Sequence, residues 1–111
     1  MKKKIDYQEY LVDSLSDPEE AAGYLNAALS EGDTKVFLLA LSNVVKAQGG
    51  VNKLANKAHK SRTSLYKTLS PKGNPYFKNT SEILSAMGMH LVIEPKNISH
   101  SNFYFFFIQN S

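Results

Sequence analysis

The chain has 111 residues, 42% of them apolar, with a formal net charge of +3 and no cysteine. That length supports one small domain around a single core, and the missing cysteine excludes a disulfide framework and thiolate metal sites. No apolar run approaches the ~18 residues of a membrane helix, and no apolar segment follows the basic Met1-Lys2-Lys3-Lys4 start as a secretory signal requires. A cytoplasmic protein with no membrane partner is therefore expected.

Residues 1–16 read as an N-terminal arm with a short helical turn over Tyr7, Tyr10, Leu11 and Leu15. Asp17-Pro18-Glu19-Glu20 is a sharp helix start: a capping carboxylate, a proline at the first helical position and acids in the first turn. Ala21, Ala22, Leu25, Ala28 and Leu29 recur at helical spacing, and Gly32 can close the helix in a left-handed conformation. Asp33 is placed to cap a second helix from about Thr34 to Gln48, apolar nearly all round and therefore central. Gly49-Gly50 ends it.

Val51 to Ala58 predicts a short helix with Leu54 and Ala55 inward, broken at His59-Lys60-Ser61. Ser61 can cap a third helix reaching about Leu69, anchored by Leu65 and Leu69. Two short helices, a three-residue turn and a small residue at the crossing describe a helix-turn-helix. Ser70-Pro71-Lys72-Gly73-Asn74-Pro75 is a dense turn signal. A last helix capped by Thr80 or Ser81 carries Ile83, Leu84 and Met87 and ends at Gly88. Residues 89–94 have strand composition, stopped by Pro95. The expected fold is mainly α: a five-helix-type bundle with a helix-turn-helix and a short C-terminal β-strand. Residues 17–95 form its DNA-binding domain, and residues 96–111 an apolar tail containing Phe103-Tyr104-Phe105-Phe106-Phe107-Ile108. That run is an aggregation hazard if exposed, so a packed or pairing role is favoured for it.

The charges are segregated. Lys35, Lys46, Lys53, Lys57, Lys60, Arg62, Lys67, Lys72 and Lys78 lie between Thr34 and Ser81, where there is no Asp or Glu. Asp6, Glu9, Asp13, Asp17, Glu19, Glu20, Glu31 and Asp33 lie between Ile5 and Asp33, where there is no Lys or Arg. An acid-free basic surface suits a phosphate backbone, and an acidic block suits a second, basic partner.

The segment Gly49-Gly50-Val51-Asn52-Lys53-Leu54-Ala55, followed by Ser61-Arg62-Thr63-Ser64-Leu65-Tyr66-Lys67-Thr68-Leu69-Ser70, resembles antidote proteins of bacterial type II toxin–antitoxin modules. The likeness is to the HigA-like addiction module antidote group of the Cro/repressor-type helix-turn-helix superfamily, and the run from Leu65 to Pro75 is its most specific part. It extends over residues from about 7 to 95. The turn departs from the family pattern at His59, where glycine is usual, and at Lys60, where an apolar residue is usual. The resemblance implies an antitoxin that represses its own operon and neutralises a small, basic toxin of the RelE/ParE kind. The acidic first third, with Asp13, Glu19, Glu20 and Glu31, would be the toxin-facing surface.

In a helix-turn-helix the N-terminal end of the second helix enters the major groove. Arg62, Thr63, Ser64, Tyr66 and Lys67 are the candidates for base contact, and Arg62 leads because its fork matches guanine O6 and N7. Tyr66 has an alternative role, packing on the Pro71–Pro75 turn. Asn52, Lys53, Lys60, Ser61 and Lys72 are candidates for phosphate contact. One module makes few base contacts, so a homodimer on palindromic double-stranded operator DNA is expected, paired through the strand at Leu91, Val92 and Ile93. No cofactor or metal is expected, because the histidines lack ligand spacing. An enzyme is disfavoured, since no carboxylate pair sits beside a histidine and no phosphate loop follows a strand. The alternative function is a stand-alone Cro-like repressor with no toxin, in which the acidic helix only balances charge.

Overall fold

Two aspartates punctuate the first half of the chain. In a computed structural model, which describes residues 7–96, Asp17 caps helix α2 (Pro18–Glu31) and Asp33 caps α3 (Thr34–Ala47). The amide of Glu19 donates to Asp17 Oδ1 at 3.2 Å and the amide of Lys35 to Asp33 Oδ1 at 2.8 Å. Each carboxylate thereby satisfies a backbone donor that a helix start leaves orphaned. Between the two helices Gly32 takes φ +77°, and its amide closes on the Leu29 carbonyl. A β-carbon is disfavoured in that left-handed conformation, which is why the position suits glycine.

Helix α1 (Tyr7–Leu15) precedes them. It buries Leu11 and Leu15 and packs on α2 and α3. The Gln48 side chain, just past the end of α3, reaches back and donates Nε2 to the Leu15 carbonyl at 2.9 Å. Helix α3 is the axis of the molecule, touching α1, α2, α4 and α5. Its Leu38, Leu41, Val44 and Val45 are almost fully buried, as an all-round apolar helix requires.

The second half is built of shorter pieces: α4 (Gly50–Ala58), α5 (Arg62–Leu69) and α6 (Phe77–Ala86). Leu54, Leu65, Leu69, Ile83 and Leu84 join the same core as the first three helices. Helix α6 begins at Phe77, ahead of the expected Thr80 or Ser81 start, and Thr80 is buried inside it.

Two expectations about the fold are corrected. There are six helices among the described residues, not a five-helix-type bundle, because Leu11 and Leu15 find a surface on α3 that turns a short helical stretch into a packed helix. There is no strand among the described residues either. The segment from Met89 to Glu94 has no ladder partner among the described residues, and β-forming composition alone cannot satisfy a strand's backbone groups. Leu91, Val92 and Ile93 are exposed there, Ile93 almost completely at 99%. The Phe-rich run 103–108 lies outside the described residues.

Candidate nucleic-acid interface

Helices α4 and α5 are joined by the turn His59-Lys60-Ser61, and the turn's geometry follows from its residues. His59 sits at φ 57°, ψ 43°, the one non-glycine residue with positive φ among those described. Histidine is among the side chains that enter this region more readily than most, so the departure from glycine leaves the turn's conformation intact. Ser61 then takes an extended conformation and its Oγ accepts the amide of Ser64 at 3.0 Å, starting α5. With that cap in place, Arg62 and Thr63 form the first positions of the helix and stand exposed.

Leu65 and Leu69 fix the rotation of α5. Both are buried, Leu65 completely, so the opposite face faces solvent. Arg62, Thr63, Ser64, Tyr66 and Lys67 are all exposed. Thr68 is turned away from them, its Oγ1 donating to the Ser64 carbonyl at 3.1 Å. The following turn folds back toward this outer face. Gly73 N–H donates to the Ser70 carbonyl at 2.8 Å, and Lys72 N–H to Ser70 Oγ at 3.0 Å. Thr63, Tyr66 and Lys67 on the helix, with Ser70, Lys72 and Gly73 on the turn, line one open depression. Three base-contact candidates and one phosphate-contact candidate therefore share a concavity, and Tyr66, 58% exposed, stands at its wall.

The turn needs Gly73 for a steric reason. A β-carbon there would lie 2.6 Å from the carbonyl oxygens of both Lys67 and Thr68. Those are backbone atoms of the last turn of α5 and cannot swing aside. Sequence reasoning took the glycine as part of a turn signal, and no local pattern announces how closely the turn approaches the helix end.

Of the phosphate-contact candidates, Asn52, Lys53, Ser61 and Lys72 are exposed. Lys60 differs. Its Nζ lies 2.6 Å from Glu82 Oε1 on α6, and the lysine is half-buried. Glu82 is the sole acid between residues 34 and 93. The Lys60 hydrogen bond, supplemented by the charges of Lys60 and Lys78, holds its carboxyl below its ordinary value against an opposing desolvation. An ion pair thus occupies the site where an apolar residue would otherwise secure the turn. Glu82 was absent from the candidate residues, because nothing local in the sequence joins position 60 to position 82.

The acidic candidates do not converge on one spot. Asp13 lies on α1, Glu19 and Glu20 in the first turn of α2, and Glu31 at its last residue. Twelve residues of helix separate Glu19 from Glu31, on the order of 18 Å along the axis. All four are exposed.

No helix among the described residues is long and apolar enough to cross a membrane. No solved structure matches the chain. A curated relative from Haemophilus influenzae, described as an uncharacterized protein, is 31% identical over 84 residues, covering 76% of this chain and 86% of the relative. The family model described as "Probable addiction module antidote protein" matches residues 2–95, so that α1 to α6 all lie within it. By that match the chain belongs to the family of probable addiction module antidote proteins, a description that implies an antitoxin with a toxin as partner.

Proposed function

We propose that this antitoxin binds operator DNA as a homodimer through α4 and α5, acting as a helix-turn-helix, and represses its own operon while neutralising a RelE/ParE-type toxin in the cytoplasm. The single observation that supports this reading best is the outer face of α5. It is capped, rigidly anchored by Leu65 and Leu69, free of carboxylates, and bounded by a lysine-bearing turn. A duplex accepts a helix of this kind in its major groove, where base edges are distinguishable.

In this reading Arg62, Thr63, Ser64, Tyr66 and Lys67 meet base edges, and Asn52, Lys53, Ser61 and Lys72 hold phosphates. Lys60 reaches a phosphate only by leaving Glu82. Asp13, Glu19, Glu20 and Glu31 offer a basic toxin an extended acidic track along α1 and α2, which suits a wrapping partner better than a point contact. Leu91, Val92 and Ile93 contribute to dimerisation through exposed apolar side chains. Toxin alters repression through any difference in its affinity for the free and the DNA-bound dimer, and the effect is reciprocal.

The test is co-purification with the product of the adjacent reading frame, followed by a mobility-shift assay on the upstream promoter fragment. A stable complex that shifts the fragment supports the whole reading. A shift without any partner leaves a stand-alone repressor, and no shift removes the DNA role.

A further inference from the structure

Three tyrosines lie on the first two helices, and the core accounts for one of them. Tyr24 of α2 packs against the core, and its hydroxyl accepts from Asn43 Nδ2 of α3 at 3.0 Å. Tyr7 and Tyr10 of α1 stand 67% and 63% exposed and, among the described residues, neither packs into the core. Two rings held in solvent on a nine-residue helix leave a large amphipathic area in water.

The face around them is of one sign. Leu11 and Leu15 set the rotation of α1 by turning to the core. Tyr7 and Tyr10, three residues apart, then share a solvent side, and Asp13 stands one turn beyond both Tyr10 and Glu9. The tyrosines and the acids therefore form one continuous exposed face. No Lys or Arg occurs from Ile5 to Asp33 to break its sign.

We infer that this face is where the toxin docks, with Tyr7 and Tyr10 as apolar anchors and Glu9 and Asp13 as the acidic rim that orients a basic surface around them. Docking there rests on the toxin-binding reading above and narrows it: the acids of α2 extend the contact, and the tyrosines supply its centre. Tyrosine is among the residues that dominate interfaces, because a rigid ring covers much area at the cost of two torsions. Two such rings bury about 300–500 Å², against the roughly 800 Å² that a stable interface removes from each partner. The pair is large enough to be the centre of a contact and too small to be all of it, which leaves the surrounding acids as its rim.

Charge selects among the occupants. A second copy would set Glu9 and Asp13 against acids of its own. Duplex DNA and an anionic bilayer meet the same repulsion. A small basic protein with apolar hollows between its cations meets none, and attraction speeds its encounter.

The test uses the full chain and the product of the adjacent reading frame. Tyr7→Ala combined with Tyr10→Ala should weaken that complex at least about 30-fold, the loss typical of an interface hot spot, while Tm of the free chain stays at the parent's value. Glu9→Gln combined with Asp13→Asn should slow association, with the difference fading at high salt. Hydrogen exchange in the parent complex should slow over Tyr7–Leu15. Equal binding by the parent and the tyrosine variant, or no slowing over that helix, would place the toxin elsewhere and overturn the inference while the toxin reading stands. If the tyrosine variant also lowers Tm, exchange in the parent complex decides: slowing over α1 upholds the docking face, and none overturns it. A parent chain that fails to bind overturns the toxin reading itself, and the inference with it.

Discussion

Lys60 Nζ and Glu82 Oε1 lie 2.6 Å apart, joining the turn between α4 and α5 to α6. The pair does two things at once. It tethers the turn, and it neutralises the one carboxylate that would otherwise oppose a phosphate on this surface. Because the Glu82 carboxyl is held below its ordinary value, chiefly by the Lys60 hydrogen bond, the pair's stabilisation is present above the usual glutamate range. It is lost as pH falls through the depressed folded-state value. Glu82→Gln is expected to lower Tm at pH 7, with the gap to the parent closing as pH falls below the ordinary glutamate range. Melting curves across that range check this, and a gap that is constant with pH would deny the pair its role.

The same substitution frees a cation. If DNA binds along α5, Glu82→Gln lets Lys60 reach a phosphate and steepens the dependence of log K on log salt by about 0.9. Binding isotherms at several salt concentrations give the slope directly. An unchanged slope would mean that Lys60 stays away from the duplex in the complex.

Arg62 and Lys72 are expected to behave differently on substitution. Arg62→Ala should cost about 1–3 kcal/mol on the operator and relax preference at one base position. Lys72→Ala should weaken all sequences alike and reduce the salt slope by about one. Competition with a set of single-base operator variants separates the two. An even loss across that set from Arg62→Ala would reassign the arginine to phosphate positioning.

Gly73→Ala should destabilise the domain by about 1–3 kcal/mol, the usual range for forcing an extra carbon into a packed site. The added carbon meets the Lys67 and Thr68 carbonyls at 2.6 Å. The turn must then lift from the end of α5, opening the depression shared by Tyr66 and Lys72. Urea unfolding gives the stability change, and a stability within 0.5 kcal/mol of the parent would show that the turn gives way freely.

Gln48→Ala removes the donor to the Leu15 carbonyl and should cost about 1 kcal/mol. The loss falls on the attachment of α1, since that bond ties its end to the end of α3. Hydrogen exchange should therefore quicken in Tyr7–Leu15 more than in α4 or α5, and uniform quickening would count against a local tether.

Local chemistry made much of this protein legible. Asp17, Asp33 and Ser61 announce helix starts because their short side chains satisfy amides within three residues, and all three do so in the folded chain. The burial of Leu54, Leu65 and Leu69 follows from helical spacing alone. The exposed face of α5, with Arg62, Thr63, Tyr66 and Lys67, follows from the same period. The start of α6 was misplaced because Thr80 has the chemistry of a cap, whereas packing buries it one turn inside the helix.

The sequence by itself determined the helical character, the caps and the separation of acidic from basic residues, since each depends on neighbours within a turn or two of helix. Tertiary structure decided the rest. It made α1 a packed helix through Leu11 and Leu15, and among the described residues it left 89–94 without a strand, because a strand exists only with a partner to share its hydrogen bonds. It also joined Lys60 to Glu82 and set Gly73 against the end of α5. Both contacts arise from the way helices cross, and no periodicity within a single helix encodes a crossing.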